Sequence, residues 1–219
     1  HKRETIDKIL IVWEEKKLVT NYSENNHLVL VGKVTSDKRF SHEIYGESFY
    51  IFDLEVSRLS GNADIIPITI SERLIIEKEL EIGDKVAIEG QFRSYNMQGE
   101  KKNKLVLSVF VKEIEFLEDN TIVTLNNANL IGYICKEPVY RKTPLGREIA
   151  DVLIAVNRTY KKSDYIPCIL WGRNAKFCDT LKVGSLVKLS GRIQSRAYEK
   201  KLENGEVEKK VAYEVSVSK

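Results

Sequence analysis

The sequence predicts an all-β protein in which one five-stranded barrel is used twice, and three observations carry that expectation. Apolar and polar side chains alternate over many short stretches, the period of half-buried strands. The 219-residue chain repeats itself at an offset of 100 residues. Each copy also breaks its run of strands with a short segment of helical spacing that ends at a glycine, Gly83 or Gly184.

The repeat aligns "LVGKV" (30–34) with "LIGYI" (130–134), Gly46 with Gly146, "VSR" (56–58) with "VNR" (156–158), and Asp64 and Pro67 with Asp164 and Pro167. Past residue 75 the offset becomes 101 and pairs "LEIGDKVAIEGQFRS" (80–94) with "LKVGSLVKLSGRIQS" (181–195). In chain order, residues 4–19 place Ile6, Ile9, Leu10, Trp13 and Lys17 at helical spacing, which predicts a short amphipathic N-terminal helix, and "SENN" (23–26) reads as a linker. The first copy, 27–117, offers the strands "HLVLVGKV", "SFYIFDLEV", "IIPITIS", "KVAIEGQF" and "LVLSVFV", with "ERLIIEKEL" as its helical segment. A polar linker is expected over 118–128. The second copy, 129–219, offers "NLIGYI", "IADVLIAV", "YIPCILW", "LVKLSGRI" and "AYEVSV", with "NAKFCDTL" as its helix. Five strands with a helix between the third and fourth is the layout of an OB-fold, a partly open Greek-key barrel whose face and loops take single-stranded nucleic acid or sugar. The interior glycines Gly90 and Gly191 suit a bulge or a barrel bend.

Charge separates the copies. Residues 27–128 carry 12 basic and 17 acidic side chains, and 129–219 carry 18 and 10, within a formal net charge of +3. A basic second copy favours an anionic partner, nucleic acid before membrane, because no basic amphipathic helix or lipidation motif accompanies it. The apolar runs are too short to span a bilayer and no signal peptide opens the sequence, so a cytoplasmic address is expected. Cys135, Cys168 and Cys178 form no C-x-x-C pair, which fits core thiols in a reducing compartment and disfavours a metal site. The three histidines, His1, His27 and His42, sit near no nucleophile, and no phosphate loop or paired-carboxylate motif appears. No enzyme, metal or cofactor is expected.

The second copy contains "NLIGYICKEPVYRKTPLGREIADVLIAVNR" with its Thr-Pro-x-Gly turn, then "YIPCILWGRNA", then "VGSLVKLSGRIQSRAYEKK" running into an Asn204-Gly205 turn. On these stretches it closely resembles the bacterial single-stranded DNA-binding protein family. The first copy resembles it less, keeping Gly32, Gly46, "DLEVSR" and "IGDKVAIEGQF". The resemblance implies base stacking on Tyr160, Tyr165, Trp171 and Tyr198. It also implies an assembly of four barrels, hence a homodimer of this chain, and a bacterial, nucleoid-associated role in replication, recombination or repair, with proteins of those processes as further partners. Arg141, Lys142, Arg147, Arg158, Lys161, Lys162, Arg173, Arg192, Arg196, Lys200 and Lys201 are the candidate phosphate contacts, since a single strand needs cations interleaved with stacking surfaces. The repeat carries the four aromatic positions onto Ser60, Ile65, Ser71 and Met97, none of them aromatic. The expectation is therefore single-stranded DNA bound mainly by the second barrel, with Tyr95 the best remaining stacking candidate in the first. The alternative is a protein-interaction or primosome-type replication-restart module whose acidic first barrel holds a partner and whose DNA binding is weak or absent.

Overall fold

Alternating stretches become strands throughout the structure, a computed structural model describing residues 24–98, 104–120 and 124–219. The helix expected over 4–19 lies outside the described residues. The first copy contains β1 (Asn26–Val34), β2 (Arg39–Ile44), β3 (Glu47–Ser57), β4 (Ala63–Ser71), β5 (Lys85–Met97) and β6 (Lys104–Phe116). The second contains β7 (Leu125–Ile134), β8 (Val139–Lys142), β9 (Glu148–Asn157), β10 (Ser163–Trp171), β11 (Leu186–Lys201) and β12 (Val207–Val217). Strand β7 thus begins inside the segment predicted as linker.

Each copy has a sixth strand beyond the five expected, because β2 and β8 fold back as the outer legs of hairpins on β3 and β9. In the first hairpin Tyr45 and Gly46 both hold positive φ (49° and 79°), the two-residue turn whose twist matches its strands. The helical segments also part company. "NAKFCDTL" forms α1 (Arg173–Asp179), which buries Ala175 and Cys178 one turn apart. "ERLIIEKEL" gives only a 3-10 turn, Glu72–Ile75, capped by the Ser71 hydroxyl. Ile75 alone is buried there and Ile76 is 77% exposed, so no apolar stripe holds a second turn against the barrel.

Five strands close each barrel. β1 pairs with β5, β5 with β6, β6 with β4 in parallel, β4 with β3, and β3 returns to the end of β1. β7, β11, β12, β10 and β9 repeat the circuit. The interiors are apolar: Phe52, Phe92, Leu54, Ile66 and Ile88 are fully buried in the first barrel, and Leu130, Ile134, Ile154, Ile166 and Ile193 are buried in the second. Gly90 marks a register shift in β5, and a Cβ there would lie 2.1 Å from the Phe110 carbonyl oxygen. Gly191 meets the Ser216 carbonyl oxygen in the same way, at 2.1 Å. Both are therefore places where the strands must approach too closely for any side chain.

The barrels join edge to edge. β1 and β7 pair antiparallel from Asn26↔Leu130 to Val31↔Leu125, merging both barrels into one twelve-stranded sheet. Leu28 faces Ala128, its own counterpart in the repeat, so a local two-fold axis passes between them. The contacts around that axis come in pairs. Asn26 donates from Nδ2 to the Phe92 carbonyl (2.7 Å) and accepts at Oδ1 from the Phe92 N–H (2.8 Å). Asn126 does the same with Ile193 at 2.8 and 2.9 Å. Asp64 accepts from the N–H and hydroxyl of Ser195 in the other barrel (2.8 and 2.9 Å), and Asp164 accepts from the N–H of Ser94 (2.8 Å). Arg58 and Arg158 are the matching cations, at 2.6 Å from Asp64 and 3.0 Å from Asp164.

The two aspartates are equally buried but differ electrostatically. Burial opposes the charge of Asp64, yet the two-pronged Arg58 contact and the Ser195 bonds outweigh it and hold its carboxyl below the ordinary carboxylate range. At Asp164 burial prevails and pushes the carboxyl up. It has fewer bonds, since the Ser94 hydroxyl accepts instead from the Tyr165 N–H (2.7 Å) and Arg158 Nε is not aligned for a hydrogen bond.

A carboxyl more acidic folded than unfolded contributes stability above its unfolded pKa, about 4, and loses that contribution as pH falls through the lower folded value. Asp64→Asn should therefore lower the unfolding free energy by about 3 kcal/mol at neutral pH, with the deficit shrinking toward about pH 3. Asp164→Asn should cost less at neutral pH, because its charged form is already disfavoured. Urea unfolding at both pH values checks this, and an Asp64→Asn variant as stable as the parent at neutral pH contradicts it.

Candidate nucleic-acid interface

Strand parity and register decide which side chains share a surface. In β10 the inward residues Asp164, Ile166 and Cys168 are buried, and Tyr165 and Trp171 fall on the outer side, 41% and 38% exposed. β10 pairs with β12 at Ile169↔Ser216, and β12 with β11 at Ser216↔Arg192, Ala212↔Arg196 and Lys210↔Tyr198. Trp171, Arg192, Arg196 and Tyr198 therefore lie on the same outer face as Tyr165. The indole Nε1–H of Trp171 donates to the Ser216 hydroxyl at 3.2 Å, which fixes the ring over β12. On the other flank Arg141 faces Ile149 on β9, and Ile149 faces Trp171, so Arg141 belongs to this surface too. Lys142, one residue on, has the opposite parity and faces Glu148.

Tyr160 reaches the site from the β9–β10 loop and is 93% exposed. Its backbone and that of Lys161 occupy the left-handed region (φ 63° and 58°) in the turn Thr159–Lys161. The repeat places Gly61 opposite Lys161, also at positive φ (89°), so the first barrel makes this turn with glycine and the second makes it with two side chains that L residues seldom place there. Strain of that kind persists where the surrounding structure imposes it and is concentrated at binding sites.

Apart from Lys142, the candidate cations divide into two groups. Arg158 is half-buried at the barrel joint and faces Asp164, Arg196 Nε contacts Glu214 at 3.3 Å, Arg141 contacts Asp151 at 3.2 Å, and Arg192 stands 3.9 Å from Asp64. These four have carboxylate neighbours that sequence spacing did not show. Among the described residues Arg147, Lys161, Lys162, Arg173, Lys200 and Lys201 are exposed and form no ion pair. Arg147 comes from the β8–β9 turn, Lys161 and Lys162 follow Tyr160 in its loop, Arg173 opens α1, and Lys200 and Lys201 lie on β11, where Lys200 shares the parity of Tyr198 and Lys201 does not. Described residues include no cluster of three or more His, Cys, Asp or Glu side chains able to hold a metal ion. Cys168 and Cys178 are buried thiols, and Cys168 is pushed well above the ordinary range by its apolar surroundings.

Both copies match a known family model, described as the single-strand binding protein family, over residues 25–117 and 125–219. Among curated proteins, single-stranded DNA-binding protein A of Bacillus subtilis (strain 168) is 40% identical over 82 residues, which is 34% of this chain and 48% of that protein. Protein B of the same strain is 40% identical over 84 residues, covering 34% of this chain and 72% of its own length. The match to protein A thus spans about half of that relative. Among solved structures, the wild-type single-stranded DNA binding protein of Thermus aquaticus superposes with a TM-score of 0.68 at 20% identity, covering 89% of this chain and 90% of that one, a likeness of fold. With both of its barrels matched, the chain belongs to the single-strand binding protein family.

Proposed function

We propose that this chain binds single-stranded DNA with little sequence preference, and that the outer face of the second barrel carries most of the contact. One observation supports the reading above the rest. Three exposed rings, Tyr165, Trp171 and Tyr198, stand on one face with a fourth, Tyr160, on the adjoining loop, where the unpaired Lys161 and Lys162 follow it, and the unpaired Lys200 shares the face of Tyr198. Every base has a π-face, so aromatic platforms bind a strand whatever its sequence, and cations beside them take the phosphates between bases. The relatives' names indicate the same ligand class. We assign no reaction to this surface, and describe the chain as a binding protein of replication, recombination or repair. No helix among the described residues is long and apolar enough to cross a membrane. Two chains together would bring four barrels to the strand, and sedimentation mass tests that; a monomer at micromolar concentration contradicts it.

Each stacked base contributes about 1–3 kcal/mol. Trp171→Ala with Tyr160→Ala should therefore weaken oligo(dT) binding by at least about tenfold, at one low salt concentration and with thermal stability near the parent's. Unchanged affinity in a folded double variant refutes the platform role.

If about four of the six unpaired cations neutralise phosphates, log K should fall with log salt at a slope of roughly −3. Lys161→Ala with Lys162→Ala should flatten that slope by about 1. Binding that ignores salt is the contrary result.

A further inference from the structure

Between Trp171 and Tyr198 the outer face of the second barrel carries a row of polar side chains. Starting beneath the Trp171 ring, the opposed residues of β12 and β11 are Ser216 and Arg192, Glu214 and Gln194, Ala212 and Arg196, then Lys210 and Tyr198. Glu214 is out of place by charge: it is a carboxylate on a surface read as binding phosphates, and it is only 5% exposed. A buried carboxylate needs donors. Gln194 Nε2 donates to its Oε1 at 2.9 Å, and Arg196 Nε donates to the same oxygen at 3.3 Å. Gln194 Oε1 in turn accepts from Arg192 Nη2 at 3.2 Å, and Arg192 Nη1 stands 3.9 Å from Asp64 of the first barrel. One chain of contacts therefore runs from the barrel joint to Arg196.

Arg192 commits its Nη groups to that chain. Arg196 commits only Nε: its two Nη groups form no hydrogen bond among the described residues, and its side chain is 53% exposed. An arginine held this way keeps the outer prongs of its fork for a second anion. The first barrel lacks both members of the pair. Its register puts Ser108, bonded to the Thr69 hydroxyl at 2.7 Å, in the place of Glu214, and Tyr95 in the place of Arg196. Gln91 and Arg93 stand where Arg192 and Gln194 stand, the two residue types exchanged, and Arg93 donates to Gln91 Oε1 at 2.8 and 3.0 Å. The carboxylate and the arginine it holds are thus present together in one copy and absent together from the other.

We propose that Glu214 is a positioning residue for strand binding, holding Arg196 by Nε so that the Nη groups meet the phosphate between a base on Trp171 and a base on Tyr198. The carboxylate itself does not touch the strand. Its charge works against phosphate, and the return is an arginine already ordered before the strand arrives, with less freedom to lose on binding. The inference rests on the function proposed above and adds a paired contact to the unpaired cations counted there.

Glu214→Gln removes the charge and keeps the Oε1 acceptor, whereas Glu214→Leu removes both. The test measures oligo(dT) affinity of each full-chain variant at one salt concentration, with and without Arg196→Ala. Arg196→Ala is expected to cost about tenfold in the Glu214→Gln protein and about threefold or less in the Glu214→Leu protein, because only a held arginine delivers its contact in full. A role confined to stability leaves that cost the same in both, so an equal or larger cost in the Glu214→Leu protein overturns the inference. Arg196→Lys in the parent keeps the charge and alters only an exposed side chain, so it decides the matter if Glu214→Leu does not fold. There a loss of about threefold or more supports positioning through Nε, and unchanged affinity overturns it. A parent protein that does not bind oligo(dT) overturns the function proposed above as well.

Discussion

The antiparallel pairing of β1 with β7 is the constraint on which the rest of the structure depends. A barrel edge strand exposes a row of unpaired N–H and C=O groups, and each copy covers that edge with its twin. Register follows from the symmetry: with Leu28 facing Ala128, every contact on one side of the axis has a repeat-related partner on the other. A slip of one residue would turn the inward side chains of β1 or β7 outward, and would also separate Asn26 from Phe92 and Asp64 from Ser195. Polar groups at this joint fix the register more than they add stability, since a buried ion pair roughly balances its own desolvation. The Asp64 and Asp164 clusters differ in their arginine contacts, yet each aspartate keeps its bond to a serine N–H of the opposite barrel, which fits such a positional role.

Placement of the candidate site follows from that joint. The strands that meet across the axis, β1 and β7, are the middle strands of the twelve-stranded sheet, and Tyr165, Trp171 and Tyr198 stand exposed on β10 and β11. Arg158 and Asp164 are shared between the two functions. They pair as a structural element of the joint, and the same arginine borders an open groove on the first barrel. A side chain committed to a buried carboxylate has little rotamer freedom left to lose, so a phosphate contact from it costs less ordering than one from a solvated lysine. The exposed lysines of the Tyr160 loop and of the β11 hairpin contribute through counterion release and give up more freedom in doing so.

Period and repeat made much of this legible in the sequence. Parity along "YIPCILW" places Tyr165 and Trp171 together, and the 100-residue offset predicts two matching barrels, because both depend only on distance along the chain. What was hidden depends on distance through space. The carboxylates beside Arg158, Arg196 and Arg141 are 6, 18 and 10 residues away on neighbouring strands, so spacing alone did not show them. The place of Phe110 on the sheet was hidden for a similar reason. Its relation to Thr69 is set by the parallel pairing of β4 with β6, 41 residues apart, and no local pattern reveals it. The missing second turn in "ERLIIEKEL" has a different cause, since propensity allowed a helix and the barrel offered nothing for its other face to bury against.

Joining the copies in one chain permits what identical subunits cannot have. In a symmetric dimer any substitution appears on both faces at once, so a ring lost from one is lost from both. Here the joint keeps its paired Asp, Ser, Asn and Arg contacts, while the outer faces have diverged at most of the positions that would touch a strand. Trp171 over Ser216 in one barrel and Phe110 beside Ser71 in the other carry aromatic surface on opposite members of a neighbouring strand pair. The chain therefore presents two unlike surfaces in fixed relation, and that relation is set by six residue pairs between β1 and β7.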